Sequence, residues 1–158
     1  MNCPTCSNET EPGAQFCGIC GTGLTSGEAN TAGIEQPMVG FIEAVNLGFK
    51  NYATFSNRAT RAENWWWVLF TILGVTALTV IENLAGIPTV LSGIFRIATL
   101  IPSLAVGARR LHDINKSGWW QLLLVVILIG WIILIVWMVK QGDRESNKYG
   151  LDPRTTPR

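Results

Sequence analysis

Three long apolar runs constrain this chain more than any other feature. Residues 65–81 are uncharged and reach the short end of the roughly 17–25 residues that a helix needs to cross a bilayer. Residues 84–106 are long enough, but Pro88 and Pro102 interrupt them and Arg96 falls near their middle. Residues 119–139 are almost purely Leu, Ile, Val and Trp, and form the strongest of the three. The composition agrees. Apolar residues make up 48% of the 158 and charged residues only 15%, too few charges for a soluble domain of this size. Six of the seven Trp (Trp65, Trp66, Trp67, Trp119, Trp120 and Trp137) fall near the ends of apolar runs, where membrane proteins place aromatic belts. Neither a soluble enzyme fold nor intrinsic disorder is expected on these grounds. The 12 basic and 11 acidic residues nearly balance, so no nucleic-acid partner is expected.

Each run is expected to be a helix. A central Arg costs about 2.5–3.5 kcal/mol on insertion scales. The rest of the second run offsets that if Arg96 faces a partner rather than lipid, and Glu82 is the nearest acid in sequence. The gap at Glu82 and Asn83 is short, so the first two runs should form a tight helical hairpin. Ahead of them, Phe41, Val45, Phe49 and Tyr52 recur at helical spacing, interleaved with Glu43, Asn46 and Lys50. This is an amphipathic helix, read as lying on the membrane surface, with packing on the cytosolic face of the bundle as the alternative.

All four Cys fall in residues 1–23. Cys3-Pro-Thr-Cys6 and Cys17-Gly-Ile-Cys20 are two CxxC knuckles whose thiolates can converge on one tetrahedral ion. Disulfides, a redox pair and an iron–sulfur site are the competing readings, and two CxxC pairs at this spacing favour zinc over them. Four Cys ligands leave no open position, so the zinc would be structural. So short a segment cannot bury enough surface to fold unaided, and metal binding would supply the folding energy. Free thiolates persist in a reducing cytosol, which places the N-terminus there. MNCPTC lacks the basic and apolar regions of a secretory signal. Residues 24–37 are small and polar and read as a flexible linker, leaving 38–158 as the membrane module with a polar tail. The segment CPTCSNETEPGAQFCGICGTGL resembles the short zinc ribbon at the N-termini of many bacterial and archaeal proteins, often membrane-tethered ones. Ser7 stands where such ribbons usually carry Gly. The resemblance implies an interaction or sensing element.

Three polar segments flank the runs. Phe55 to Trp66 carries Arg58, Arg61 and Glu63. Arg109-Arg110-Leu-His112-Asp113 leads into Ser117-Gly118-Trp119-Trp120, and the tail holds Asn147-Lys148-Tyr149-Gly150-Leu-Asp152-Pro153. Together these resemble the YhaH/YhaI-like family of small bacterial inner-membrane proteins, a domain of unknown function (805). RRLHD followed by SGWW is the most specific part. The family usually shows Phe-x-Gly-Arg in the first segment, and here Asn57 stands at the Gly position. The resemblance implies a multi-pass protein of the bacterial inner membrane and no established activity.

The fold expected is therefore all-α: about three transmembrane helices preceded by an amphipathic helix, with a small N-terminal four-cysteine zinc ribbon. Arg109 and Arg110 are candidates to clamp a phosphate or carboxylate, and His112 with Asp113 for an acid/base pair. The plainer reading joins Arg58, Arg61 and Glu63 to Arg109, Arg110 and Asp113 in an ion-pair network at one membrane face. Three crossings would put Lys50, Arg58, Arg61, Arg109, Arg110 and Lys116 inside, and Lys140, Arg144, Lys148, Arg154 and Arg158 outside. The positive-inside rule disfavours so even a split. A re-entrant middle run would return the tail to the cytosol. Three spans are adopted on the length of the second run and on the resemblance, with the side of the tail open. Ser103 and Gly107 form a small-xxx-small pair that hints at self-association, and a thin bundle points to a homo-oligomer. Beside the lipid bilayer, the expected partner is a protein held by the ribbon, which makes the chain an anchor or adaptor rather than an enzyme. A transport path at Arg96, and less so a lipid-headgroup enzyme at His112 and Asp113, are the alternatives.

Overall fold

The structure, a computed structural model, describes residues 36–156. The cysteine cluster and nearly all of the linker lie outside the described residues. Four α-helices and one 3-10 helix follow one another: α1 (Phe41–Lys50), α2 (Arg61–Ala85), α3 (Val90–Asp113), the 3-10 segment (Gly118–Val125) and α4 (Ile129–Val139).

α2 and α3 form the hairpin that the first two runs imply. Thr60 opens α2 by accepting a hydrogen bond from the Glu63 amide, which leaves one fewer amide of the first turn unpaired. Gly86, at φ +66°, closes the helix in a left-handed cap. The turn therefore lies at residues 86–89 and not at Glu82 and Asn83, which continue α2. Glu82 is fully buried, and its Oε1 accepts from the amides of Leu91 (2.5 Å) and Ser92 (3.1 Å). A carboxylate thus holds the open amides of α3's first turn, where the helix dipole favours negative charge. At 25 and 24 residues, the two helices are about 36–38 Å long, enough for a hydrocarbon core of about 30 Å.

Away from the C-terminal end of α3, most apolar side chains of these helices face outward. Ile72, Leu73, Ile81, Ile94, Ile97 and Leu100 are all exposed, while the last nine residues of α3, Ala105 to Asp113, are all buried. The interior holds Arg58, Glu63, Arg109, Arg110 and Asp113. An apolar surface of this extent needs an apolar solvent.

α1 packs against α2 rather than lying free. Phe41 meets Trp66, and Phe49 meets both Trp67 and Phe70 edge-on at 5.2 and 5.9 Å. Gly48 lies so close to the Trp67 ring that a Cβ would overlap it. Trp67 itself is only 2% exposed and donates to Ser103 Oγ at 3.0 Å. It is a core residue and not part of an interfacial belt. The small pair expected to mediate self-association is likewise used within the chain. Ser103 takes the Trp67 bond, and the space a Gly107 side chain would fill belongs to Gln121.

The third run departs most from expectation, because it does not form one continuous helix. Its first part is the 8-residue 3-10 segment, and α4 has 11 residues, about 16 Å. Neither crosses alone, and the pair doubles back. Leu128 turns the chain at φ +67°, and Gly130 approaches the Leu123 carbonyl too closely for any side chain. At the open end, Trp120 meets Trp137 at 5.5 Å and Lys116 Nζ lies 4.3 Å from the Trp137 ring centre. At the tip, Trp131 Nε1 donates to the Leu124 carbonyl. The physical reason for the difference is plain: a uniformly apolar run has no periodicity to mark a break.

Candidate functional site

Because the third run returns, all three polar segments meet at one end of the α2–α3 hairpin. Asp113, in the last turn of α3, is the centre. Its Oδ1 accepts from Arg58 (Nε 3.0 Å, Nη2 2.9 Å) and its Oδ2 from Arg110 Nη1 at 2.6 Å. All three side chains are at most 5% exposed. Each guanidinium then reaches onward to backbone. Arg58 Nη1 donates to the carbonyls of Glu145 (2.7 Å) and Gly150 (3.3 Å), and its Nη2 to that of Asp143. Arg110 donates to the carbonyls of Met138 and Lys140, and Arg61 Nη1 to that of Val139. Those carbonyls end α4, where the helix has no amides left to offer and cations are favoured. Two arginines thus pin the C-terminal end of α4 to the hairpin.

The tail closes over this centre. The Asp143 amide donates to the Asp113 carbonyl at 2.8 Å, and Gly142 lies directly against the Asp113 carboxylate, where a Cβ has no room. Asn147 Nδ2 donates to the His112 carbonyl at 2.9 Å. The Tyr149 ring stacks on His112 at 3.7 Å and 5°, while His112 Nδ1 lies 3.1 Å from the Asn57 carbonyl. Asn57 holds a left-handed backbone, φ +71°, which Asn tolerates better than other side chains apart from Gly. Further along, burial works to raise the Asp152 carboxyl, yet the hydrogen bonds from Arg154 (Nε 2.8 Å, amide 2.9 Å) outweigh it. They hold the group below its ordinary value.

On the other side of Asn57, Glu63 Oε1 and Arg109 Nη1 pair at 2.8 Å with both side chains buried. So Arg109, Arg110, His112 and Asp113 come together, as members of one buried cap. His112 meets Asn57 through Nδ1 and Tyr149 across a ring face, while the Asp113 carboxylate is met by two arginines rather than by His112. Arg96 lies apart. It is exposed on α3, six residues or about 9 Å from the start of that helix. Cys3, Cys6, Cys17 and Cys20 lie outside the described residues. Among the described residues, no three His, Cys, Asp or Glu side chains are grouped to hold a metal. Gly142, Asn147, Tyr149 and Arg154 do not stand out as candidates from sequence. Only the Asn-Lys-Tyr-Gly string points toward the tail.

Two helices long enough to cross, apolar surface outside and charge inside define a small helical integral-membrane protein. The family described as "Protein of unknown function (DUF805)" matches residues 52–151, and the chain belongs to it. Its relatives include "Inner membrane protein YhaI" of Escherichia coli (strain K12), 42% identical over 106 residues. That alignment covers 66% of this chain and 90% of the relative. "Inner membrane protein YhaH" of the same strain is 37% identical over 113 residues, 68% of this chain and 93% of the relative. No solved structure matches the chain.

Proposed function

We propose that this protein is a multi-pass anchor of the inner membrane whose N-terminal ribbon recruits a protein partner. In this reading α2 and α3 cross the bilayer and the third run is re-entrant. One observation carries this topology. Among the described residues, every Lys and Arg except Arg96 lies at the cap end: Lys50, Arg58, Arg61, Arg109, Arg110, Lys116, Lys140, Arg144, Lys148 and Arg154. The uneasy charge split of a three-span layout disappears, and the positive-inside rule makes the cap cytosolic. Residue 36 is at this end too, its amide donating to the Arg154 carbonyl. Residues 1–35 contain no apolar run, so the four Cys share that reducing side. There Cys3, Cys6, Cys17 and Cys20 would hold a structural zinc as a closed thiolate set.

The alternatives draw less support. The Asp113 carboxylate is taken by two arginines and does not meet His112, which weakens a headgroup enzyme built on that pair. Arg96 is on the outer surface of the hairpin, which leaves a transport path nothing to line within one chain. The test is co-purification in mild detergent of the full chain and of Cys17→Ser/Cys20→Ser, with bound zinc measured on both. A partner retained only by the zinc-loaded chain supports the reading. The same proteins in both, or none in either, rejects it.

A further inference from the structure

One edge of the His112 ring is not used by the cap. A carbonyl only accepts, so the Nδ1 that faces the Asn57 carbonyl at 3.1 Å carries the proton. In the neutral ring Nε2 is then an acceptor, and it meets no donor among the described residues. The residue is only 9% exposed, yet this nitrogen is not walled in. It lies 3.5 Å from the point where a Gly118 Cβ would stand, and His112 and Gly118 both line a cavity of about 540 Å³. Bare backbone at Gly118 leaves Nε2 open to that cavity. Its walls are otherwise apolar. Leu104, Ala108 and His112 follow one another at four-residue spacing on one face of α3, and Trp119 and Leu122 of the 3-10 segment complete the lining. The Gln121 amide nitrogen, the nearest alternative donor in the lining, is committed to the carbonyls of Leu104 (3.1 Å) and Gly118 (3.3 Å). Among the described residues that line the cavity, none is Lys, Arg, Asp or Glu, so a charged head would find no counter-ion there. Small-molecule sites have this character: about 300–1,000 Å³, mostly apolar, with one or a few polar groups that fix orientation. Trp119 and Trp120 are exposed at the same end, as tryptophans are at the level of lipid headgroups. An occupant that fits is neutral, apolar over most of its length, and carries one hydrogen-bond donor.

We propose that this cavity binds a neutral lipid hydroxyl, such as the free glycerol hydroxyl of a diacylglycerol, with His112 Nε2 accepting its hydrogen bond and acyl chain lying along Leu104 and Leu122. His112 is the one histidine in the chain, so its imidazole can be read directly. Full-length protein carrying ¹⁵N-histidine is held in lauryldimethylamine oxide, a detergent without hydroxyl groups, at about pH 8, where an ordinary imidazole is neutral. It is titrated with 1,2-dioctanoylglycerol, with the same compound acetylated at its free hydroxyl, and with glycerol. Dioctanoylglycerol should move the Nε2 resonance upfield and saturate, while the acetylated compound and glycerol at the same concentrations leave it in place. Thermal stabilisation by dioctanoylglycerol gives a second readout. His112→Phe keeps a ring for Tyr149 to stack on but has no acceptor, and should weaken that stabilisation about three- to tenfold, the worth of one hydrogen bond. The resonance titration uses the unaltered chain and stands even if this variant does not fold. The proposal is overturned if no compound moves Nε2 saturably, if the acetylated compound moves it equally, if glycerol alone suffices, or if His112→Phe is stabilised as the unaltered chain is.

Discussion

Tyr52 completes a hydrogen bond that Pro102 breaks. Pro102 lies inside α3 and has no N–H to offer the carbonyl four residues earlier, that of Ala98. The Tyr52 hydroxyl donates to that same carbonyl at 2.7 Å. In hydrocarbon, an unmet carbonyl has no water to turn to. The residue just past α1 thus repairs α3 and ties α1 to the hairpin.

Tyr52→Phe should therefore destabilise the protein by about 1–2 kcal/mol, since it leaves a carbonyl unmet. In a Pro102→Ala background the restored backbone amide would serve the Ala98 carbonyl, and the same change should cost less than about 0.5 kcal/mol. A double-mutant cycle on thermal unfolding in detergent measures this coupling. Equal losses in the two backgrounds would show that the hydroxyl does not serve the proline gap.

Asp113 is held as a structural anion between two guanidiniums. Asp113→Asn keeps its shape but strands two buried charges, so a loss of about 3–5 kcal/mol is expected. Unfolding in urea and detergent checks it. A variant with unaltered stability would return Asp113 to the pool of chemical candidates.

The turn between the 3-10 segment and α4 depends on bare backbone at Gly130. Gly130→Ala drives a methyl into the Leu123 carbonyl and should cost about 1–3 kcal/mol, as overpacking does. Gly93 has nothing within reach of a Cβ, so Gly93→Ala should be neutral or slightly stabilising. Comparing the two melting temperatures tests the close approach itself.

Asp152 gives the tail a dependence on acid. Its carboxyl titrates below its ordinary value in the folded chain, so the folded state binds the proton less readily than the unfolded one. The stability it contributes is present above the unfolded value, and is lost as pH falls through the lower folded value. Between about pH 5 and pH 3, Asp152→Asn should show a flatter decline in melting temperature than the unaltered chain. A parallel decline would mean that the Arg154 contact contributes nothing to folding.

Where side chains carry a pattern, the sequence anticipates the structure. Phe41, Val45 and Phe49 mark α1 because an amphipathic helix repeats its apolar face. The charged residues near Arg58 and Arg109 announce partners because so few charges interrupt the runs. The break at Leu128 has no such mark, since lipid-facing and packed residues are equally apolar in residues 119–139. Glu82 and Asn83 suggest a turn because polar residues suggest a loop. The buried carboxylate instead serves α3, and Gly86 with Pro88 is the physical stop signal. The Asn57 turn keeps its left-handed shape without the family's glycine, which Asn can do and most residues cannot. The stack of Tyr149 on His112 joins residues 37 apart in sequence, and neither local propensity nor spacing signals such a contact.

The central claim is that the chain crosses twice and that its tail returns to the side from which it entered. Thr89→Cys, in the α2–α3 turn, and Ser146→Cys, in the exposed tail loop, test it directly. Intact spheroplasts and inverted vesicles are treated with a membrane-impermeant maleimide, and labelling at each site is read by peptide mass. The account predicts that Thr89→Cys is labelled from outside and Ser146→Cys only from the cytosolic side. Labelling of both from outside would mean that the third run crosses after all, and would contradict the account.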